Sequence, residues 1–254
     1  MLGPMISTTA PACRHAAAAP DDGDRSGIAE AFLRHVAEAS FPCVGSKAAL
    51  AQGAIRTLEL GPLGRRANDG PLLDGLQDFG RLHAAQPATS SVVHSFVALY
   101  DGPTPAGELH FEALLWSQLQ RLHLLDVRRG HRWAAGVSRD PDDPRFSLSL
   151  GGHPFFVIGL HPRASRIARR FGWPALVFNS HAQFDRLRSD GRYAKMQKAT
   201  RARDLALQGS LNPNLADFGA APETRQYSGR AVEADWRCPF HASPTQPVED
   251  VPHD

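Results

Sequence analysis

The stretch from Phe146 to His161 constrains the fold more than any other part of the chain. Two apolar runs, Phe146 to Leu150 and Phe155 to Leu160, are split by Gly151-Gly152. A glycine pair tolerates the positive backbone angles of a tight hairpin turn. Strands joined in this way are antiparallel neighbours with no helix between them, which disfavours a doubly wound parallel sheet. Upstream, Ser26 is a candidate cap for a helix carrying Ile28, Phe32, Leu33 and Val36. Phe41-Pro42-Cys43-Val44-Gly45 breaks it. Ala54 to Leu60 predicts a strand, and Leu72, Leu73, Leu76, Phe79 and Leu82 predict a helix opened around Pro71. Ser91 to Tyr100 predicts a buried strand. Glu108 to Leu124 is the clearest helix, with Phe111, Leu114, Leu115, Gln118 and Leu122 on one face. Ala175 to Asn179 predicts a further strand, and His181 to Leu207 a helical region interrupted near Gly191. The fold class expected is α+β, a single domain over 26–240 with a mixed or largely antiparallel sheet packed by helices. Residues 1–25 and 241–254, poor in apolar period and rich in Ala, Pro and polar residues, are expected to be tails.

Composition removes several classes of function. Of 254 residues, 42% are hydrophobic and 21% charged, ordinary for a globular protein with a real core. No apolar run approaches the ~20 residues of a membrane helix, and the start lacks the pattern of a secretory signal. The net charge of +2 gives no footprint for nucleic acid. Three widely spaced cysteines, Cys13, Cys43 and Cys238, form neither a disulfide framework nor a paired zinc motif, so a reducing cytoplasm is expected. There is no Walker A loop, dinucleotide fingerprint, Gly-x-Ser-x-Gly elbow or His-Glu-x-x-His helix.

The 12 histidines are the main chemical signal. His153 and His161 bracket an apolar strand and stand eight residues apart, so an extended chain puts both on one face. A neutral imidazole beside a dry apolar surface suits haem ligation, although on spacing alone strand-end hydrogen bonding to loops is the commoner explanation. His123 lies on the strongest helix with Trp116 and Leu119 seven and four residues before it on the same face, an arrangement able to flank a cofactor but more commonly a core histidine. The cluster Arg163, Arg166, Arg169 and Arg170 suits carboxylates. Glu112, Asp204 and Glu223 are acidic groups near core elements, fit for a cationic substrate or for a neighbouring arginine.

An ordered series of motifs adds to this reading. Phe41-Pro42-Cys43, Phe111-Glu112 to Trp116, Leu122-His123, Gly159-Leu160-His161-Pro162 with Ala164-Ser165-Arg166, and Leu176-Val177-Phe178-Asn179 occur in turn. Arg203-Asp204, Leu207-Gln208-Gly209, Asn212-Pro213, Glu223, Arg225-Gln226-Tyr227-Ser228-Gly229 and Trp236 to Phe240 follow. The series resembles the YqcI/YcgG family. Characterised members are haem-dependent N-hydroxylases of guanidino groups. The resemblance implies haem b, with dioxygen or peroxide as oxidant, and a free arginine or related small guanidine as substrate. It implies an iron ligand at His161 first, then His123 and His153, with Trp116 beside the cofactor and Arg166 and Arg170 on the propionates. Glu223 or Asp204 is implied to bind the guanidinium, and Tyr227 to donate a hydrogen bond to the oxidant. An electron donor and a small guanidino compound are the expected partners, without nucleic acid or membrane, and a homodimer is the expected assembly if the chain is not monomeric. A haem-binding sensor or carrier without turnover is the alternative.

Overall fold

The structure is a computed structural model and describes residues 27–243 apart from 88 and 91. Ser26, residues 1–25 and residues 244–254 lie outside the described residues, and so do the expectations placed on them. Helix α1 (Gly27–Ala37) buries Ile28, Phe32 and Val36, spaced by four so that they share one face. Helix α2 (Val44–Ala51) follows the Phe-Pro-Cys turn, and its N-cap is Cys43, whose Sγ accepts from the Ser46 N–H. Strand β1 (Ile55–Leu60) leads through α3 (Asp69–Ala84) to β2 (Ser95–Tyr100), and the helical crossover makes the two strands parallel. Helix α4 (Glu108–Arg128) is the longest element.

Strands β3 (Leu148–Leu150) and β4 (His153–Leu160) form the expected hairpin, with Gly151 at φ 59° and Gly152 at φ 75°. Strand β5 (Ala175–Ser180) lies between β2 and β4, antiparallel to both, so the sheet order is β1-β2-β5-β4-β3 and the sheet is mixed. Helices α5 (His181–Ser189) and α6 (Arg192–Gln208) are separated by Gly191, and α7 (Thr224–Tyr227) is a single turn near the end. The described part is one α+β unit, as the strand pattern implies.

The sheet's two faces are covered differently. Phe96, Ala98, Tyr100, Leu148, Leu150, Phe155, Val157, Leu176 and Phe178 pack with α3 and α4 in the larger core. The alternate residues Val97, Leu99, Leu160, Ala175 and Val177 pack with α1, Phe41 and Phe171. Gly159 belongs to the first face, where Phe111 and Leu115 of α4 come so close that an added Cβ would lie 2.5 Å from Phe111 Cε1. Gly159→Ala is therefore expected to destabilise the protein by about 1–3 kcal/mol through overpacking. A urea midpoint equal to that of the parent would contradict this.

The segment after α7 is strapped to α4 by Glu112. Its carboxylate accepts from Ser228 Oγ (2.9 Å), Arg230 Nε and Nη2 (both 3.1 Å) and Trp236 Nε1 (3.1 Å), and it is buried. The chain stays docked to Ser243, because Gln120 exchanges two hydrogen bonds with His241 and the Ser243 N–H donates to His123 Nε2. This strap holds α7 against the sheet and thereby fixes Glu223 and Tyr227.

Candidate functional site

Strand parity decides which histidine meets open space. On β4, Phe156, Ile158 and Leu160 turn away from α3 and α4, and on β5, Val177 and Asn179 do the same. His181 continues the odd-numbered side of β5. These residues form the floor of a cavity of about 310 Å³, within the range of small-molecule sites. Phe184, Tyr193 and Met196 of α5 and α6 wall it on one side, and Phe32, Phe41 and Cys43 on another. The exposed wall is mostly apolar, but it also carries charged side chains, among them Arg166, Arg169, Arg188, Arg201, Asp204 and Glu223.

At one end stands a buried chain of three groups. His181 Nε2 is 2.9 Å from Glu223 Oε2, and Tyr227 Oη donates to Glu223 Oε1. Residues His181, Glu223 and Tyr227 are 5%, 3% and 0% exposed. Burial, reinforced by the adjacent Glu223 charge, pushes the Tyr227 phenol well above its ordinary value, so it remains a donor at every physiological pH. With Nε2 committed to a carboxylate, Nδ1 of His181 is the nitrogen left for a ligand. A carboxylate on the far nitrogen is the usual support of a metal-bound imidazole.

Arg166, Arg169 and Asp204 also line the cavity. Arg166 Nη2 donates to Asp204 Oδ2 (2.7 Å) and to the Ser210 carbonyl (2.7 Å). Asp204 Oδ1 is buried and without a partner. Arg169 donates Nη1 to the Gly159 carbonyl (3.1 Å) and Nη2 to the Gln226 carbonyl (3.1 Å), and no carboxylate contacts it among the described residues. Burial draws its guanidinium down to about 10, which still leaves it charged at neutral pH.

The residues singled out by sequence divide between the cavity and the core. Arg166, Asp204 and Glu223 line the cavity, and Tyr227 backs it through Glu223. His161 and His153 do share one face, but it is the face of α3 and α4. His161 stacks on Phe111, with ring centroids 4.3 Å apart, and is 1% exposed. His153 packs over Gly80. His123 sits among Trp133 and Phe240 and accepts from Ser243. Trp116 stacks on Tyr227 at 5.5 Å, behind the cavity wall. Arg170 is exposed and donates to the carbonyls of Ala164 and Ser165. The sequence pattern marks His181 only as the first residue of a helical region. Continuing the alternation Val177, Asn179, His181 would have put it opposite Phe178 and so on the cavity face.

Among the described residues no group of three or more His, Cys, Asp or Glu is arranged to hold a metal ion. No helix among them is long and apolar enough to cross a membrane. The cavity offers a ligand an apolar floor, one buried imidazole and charged groups of both signs. A haem fits that donor set, since it needs a single backed histidine and apolar contact rather than a cluster of ligands.

Comparison with curated proteins and with solved structures returns no match. The family model for the YqcI/YcgG family matches residues 30–241, which takes in the sheet, the cavity and the strap. The chain belongs to the YqcI/YcgG family.

Proposed function

We propose that this chain is a haem-dependent monooxygenase that N-hydroxylates the guanidino group of free arginine or a related small guanidine. The observation that carries the reading is His181, a buried imidazole on the wall of an apolar cavity with Nε2 fixed by Glu223 and Nδ1 free. His181 takes the ligand role that the family resemblance suggested for His161, because His161 packs against Phe111 on the other face.

When bound, the haem would supply activation of dioxygen or peroxide, with electrons from a separate donor. The rest belongs to the chain. Glu223 holds the imidazole orientation and makes it a better donor, and Tyr227 holds Glu223. Phe156, Ile158, Val177 and Phe184 exclude water. Arg188 and Arg201, half-exposed on the cavity wall, are placed for the carboxylates of a large ligand. Asp204, with one free buried oxygen, draws a cationic substrate into a site of low dielectric.

The test is an absorption spectrum of protein expressed with a haem precursor, read with and without L-arginine. A Soret band that shifts on adding arginine is the expected result and leads to product analysis for the N-hydroxy compound. A folded, haem-supplemented protein without a Soret band overturns the reading. A Soret band indifferent to every guanidine would favour a haem carrier or sensor instead.

A further inference from the structure

Two charged groups on the same cavity wall are left half-used, and they are of opposite sign. Arg169 spends three N–H bonds on main-chain carbonyls: Gly159 (3.1 Å) and Tyr227 (3.5 Å) from Nη1, and Gln226 (3.1 Å) from Nη2. Nε and the remaining Nη2 hydrogen, which together form the side-on edge of the guanidinium, meet no protein acceptor. That edge is the one carboxylates grip with two parallel bonds. A half-buried guanidinium that no carboxylate contacts among the described residues is a ready partner for a ligand's negative charge. Asp204 is the mirror case. Arg166 satisfies Oδ2, while Oδ1 is buried, unpartnered and on the cavity wall. Arg169 ends the short 3-10 turn Ile167–Arg169 that Arg166, the partner of Asp204, begins, and all three line the cavity, so Arg169 and Asp204 belong to one stretch of its wall.

We propose that Arg169 and Asp204 form a head-group subsite for a small zwitterion, Arg169 taking a carboxylate and Asp204 Oδ1 an adjacent ammonium. A ligand bringing only a carboxylate would satisfy Arg169 and leave Asp204 Oδ1 without a donor, since Arg166 already pairs Oδ2. A ligand bringing only a cation would leave Arg169 uncompensated. An α-amino-acid head satisfies both. The side chain then extends along the apolar floor towards His181. A haem propionate would satisfy Arg169 but bring no donor to Asp204 Oδ1, which favours a substrate head group at this place. The inference deepens the function proposed above by making Arg169 and Asp204 the residues that separate amino acids from decarboxylated amines and guanidines.

The test is calorimetric binding of matched pairs to the full chain as purified: L-arginine with agmatine, L-lysine with cadaverine, and L-norleucine with pentylamine. Each pair differs only by the carboxylate. The amino acid is expected to bind more tightly than its decarboxylated partner by about tenfold or more, the scale of one charge-assisted bidentate contact. Nα-acetyl-L-arginine, which keeps the carboxylate and loses the ammonium charge, is expected to lose a similar factor. In Arg169→Gln the arginine–agmatine difference disappears, and in Asp204→Asn the difference between arginine and its acetylated form disappears. The ligand pairs on unaltered protein decide the matter even where a variant fails to fold. Equal binding of arginine and agmatine overturns the subsite while leaving guanidine recognition intact. Binding of lysine or norleucine with the same head-group discrimination, but no preference for arginine, upholds the subsite and overturns the guanidine reading. Absence of binding by every compound overturns both.

Discussion

Replacing His181 by alanine is expected to abolish haem retention in a protein that still folds. The imidazole is small, sits at the first residue of α5 and makes its one strong side-chain contact with Glu223. Its removal opens space next to an existing cavity rather than a hole in the core. Haem per chain, measured as the pyridine haemochrome, should fall by about tenfold or more, because His181 is the residue that would hold the iron. Glu223→Gln is the finer variant. It keeps a hydrogen-bond acceptor near Nε2 but removes the negative charge, and it should retain haem with a shifted Soret band and weaker ligation. His161→Ala is the opposite case. It leaves haem content unchanged and lowers stability by about 2–3 kcal/mol, because it removes a ring stacked on Phe111 in the closed core. If His161→Ala loses haem and His181→Ala keeps it, the ligand assignment fails.

The contrast between these two histidines shows how much could be read from the chain before it folded. The hairpin at Gly151-Gly152, the strand over Ala175–Ser180, the long α4 and the break at Gly191 follow from local pattern, because each depends on periodicity or on glycine at positive φ. The equal parity of His153 and His161 was legible for the same reason. Which face that parity chose was not, because nothing local says whether a strand's odd side meets α3 and α4 or a cavity. Helix α2 escaped because its residues, Val44 to Ala51, are mostly small and carry no apolar stripe. The site depends on pairings distant in sequence: His181 reaches Glu223 across 42 residues, Arg166 reaches Asp204 across 38, and Glu112 holds Arg230 across 118. Individual members, Asp204, Glu223, Arg166 and Tyr227, could be nominated by type. Their association needed the fold.

The buried histidines that do not line the cavity make acid stability the second large effect. His83, His123 and His161 are 2%, 2% and 1% exposed, and burial holds each imidazole down to about 4 from 6.5. Arg186 and His94 add to the effect at His83, Arg139 at His123, and Arg169 at His161, where Glu108 partly opposes it. Above pH 6.5 the three are neutral in both folded and unfolded chains, and their contribution is fully present. Between 6.5 and about 4 the unfolded chain takes up protons that the native chain refuses, so stability falls as pH falls. Each site accounts for up to about 3 kcal/mol across that window. Asp126 works in the other direction, since burial raises its carboxyl, but it is one group against three. A domain with a total stability of about 5–15 kcal/mol should therefore lose most of it before the surface carboxylates titrate. Urea midpoints measured from pH 7.5 to 4.5 are expected to drop steeply below 6.5, and His161→Leu should flatten the slope by its own share. A midpoint constant down to pH 5 would mean that the native chain binds those protons, and that these histidines are open to water instead of closed in the core.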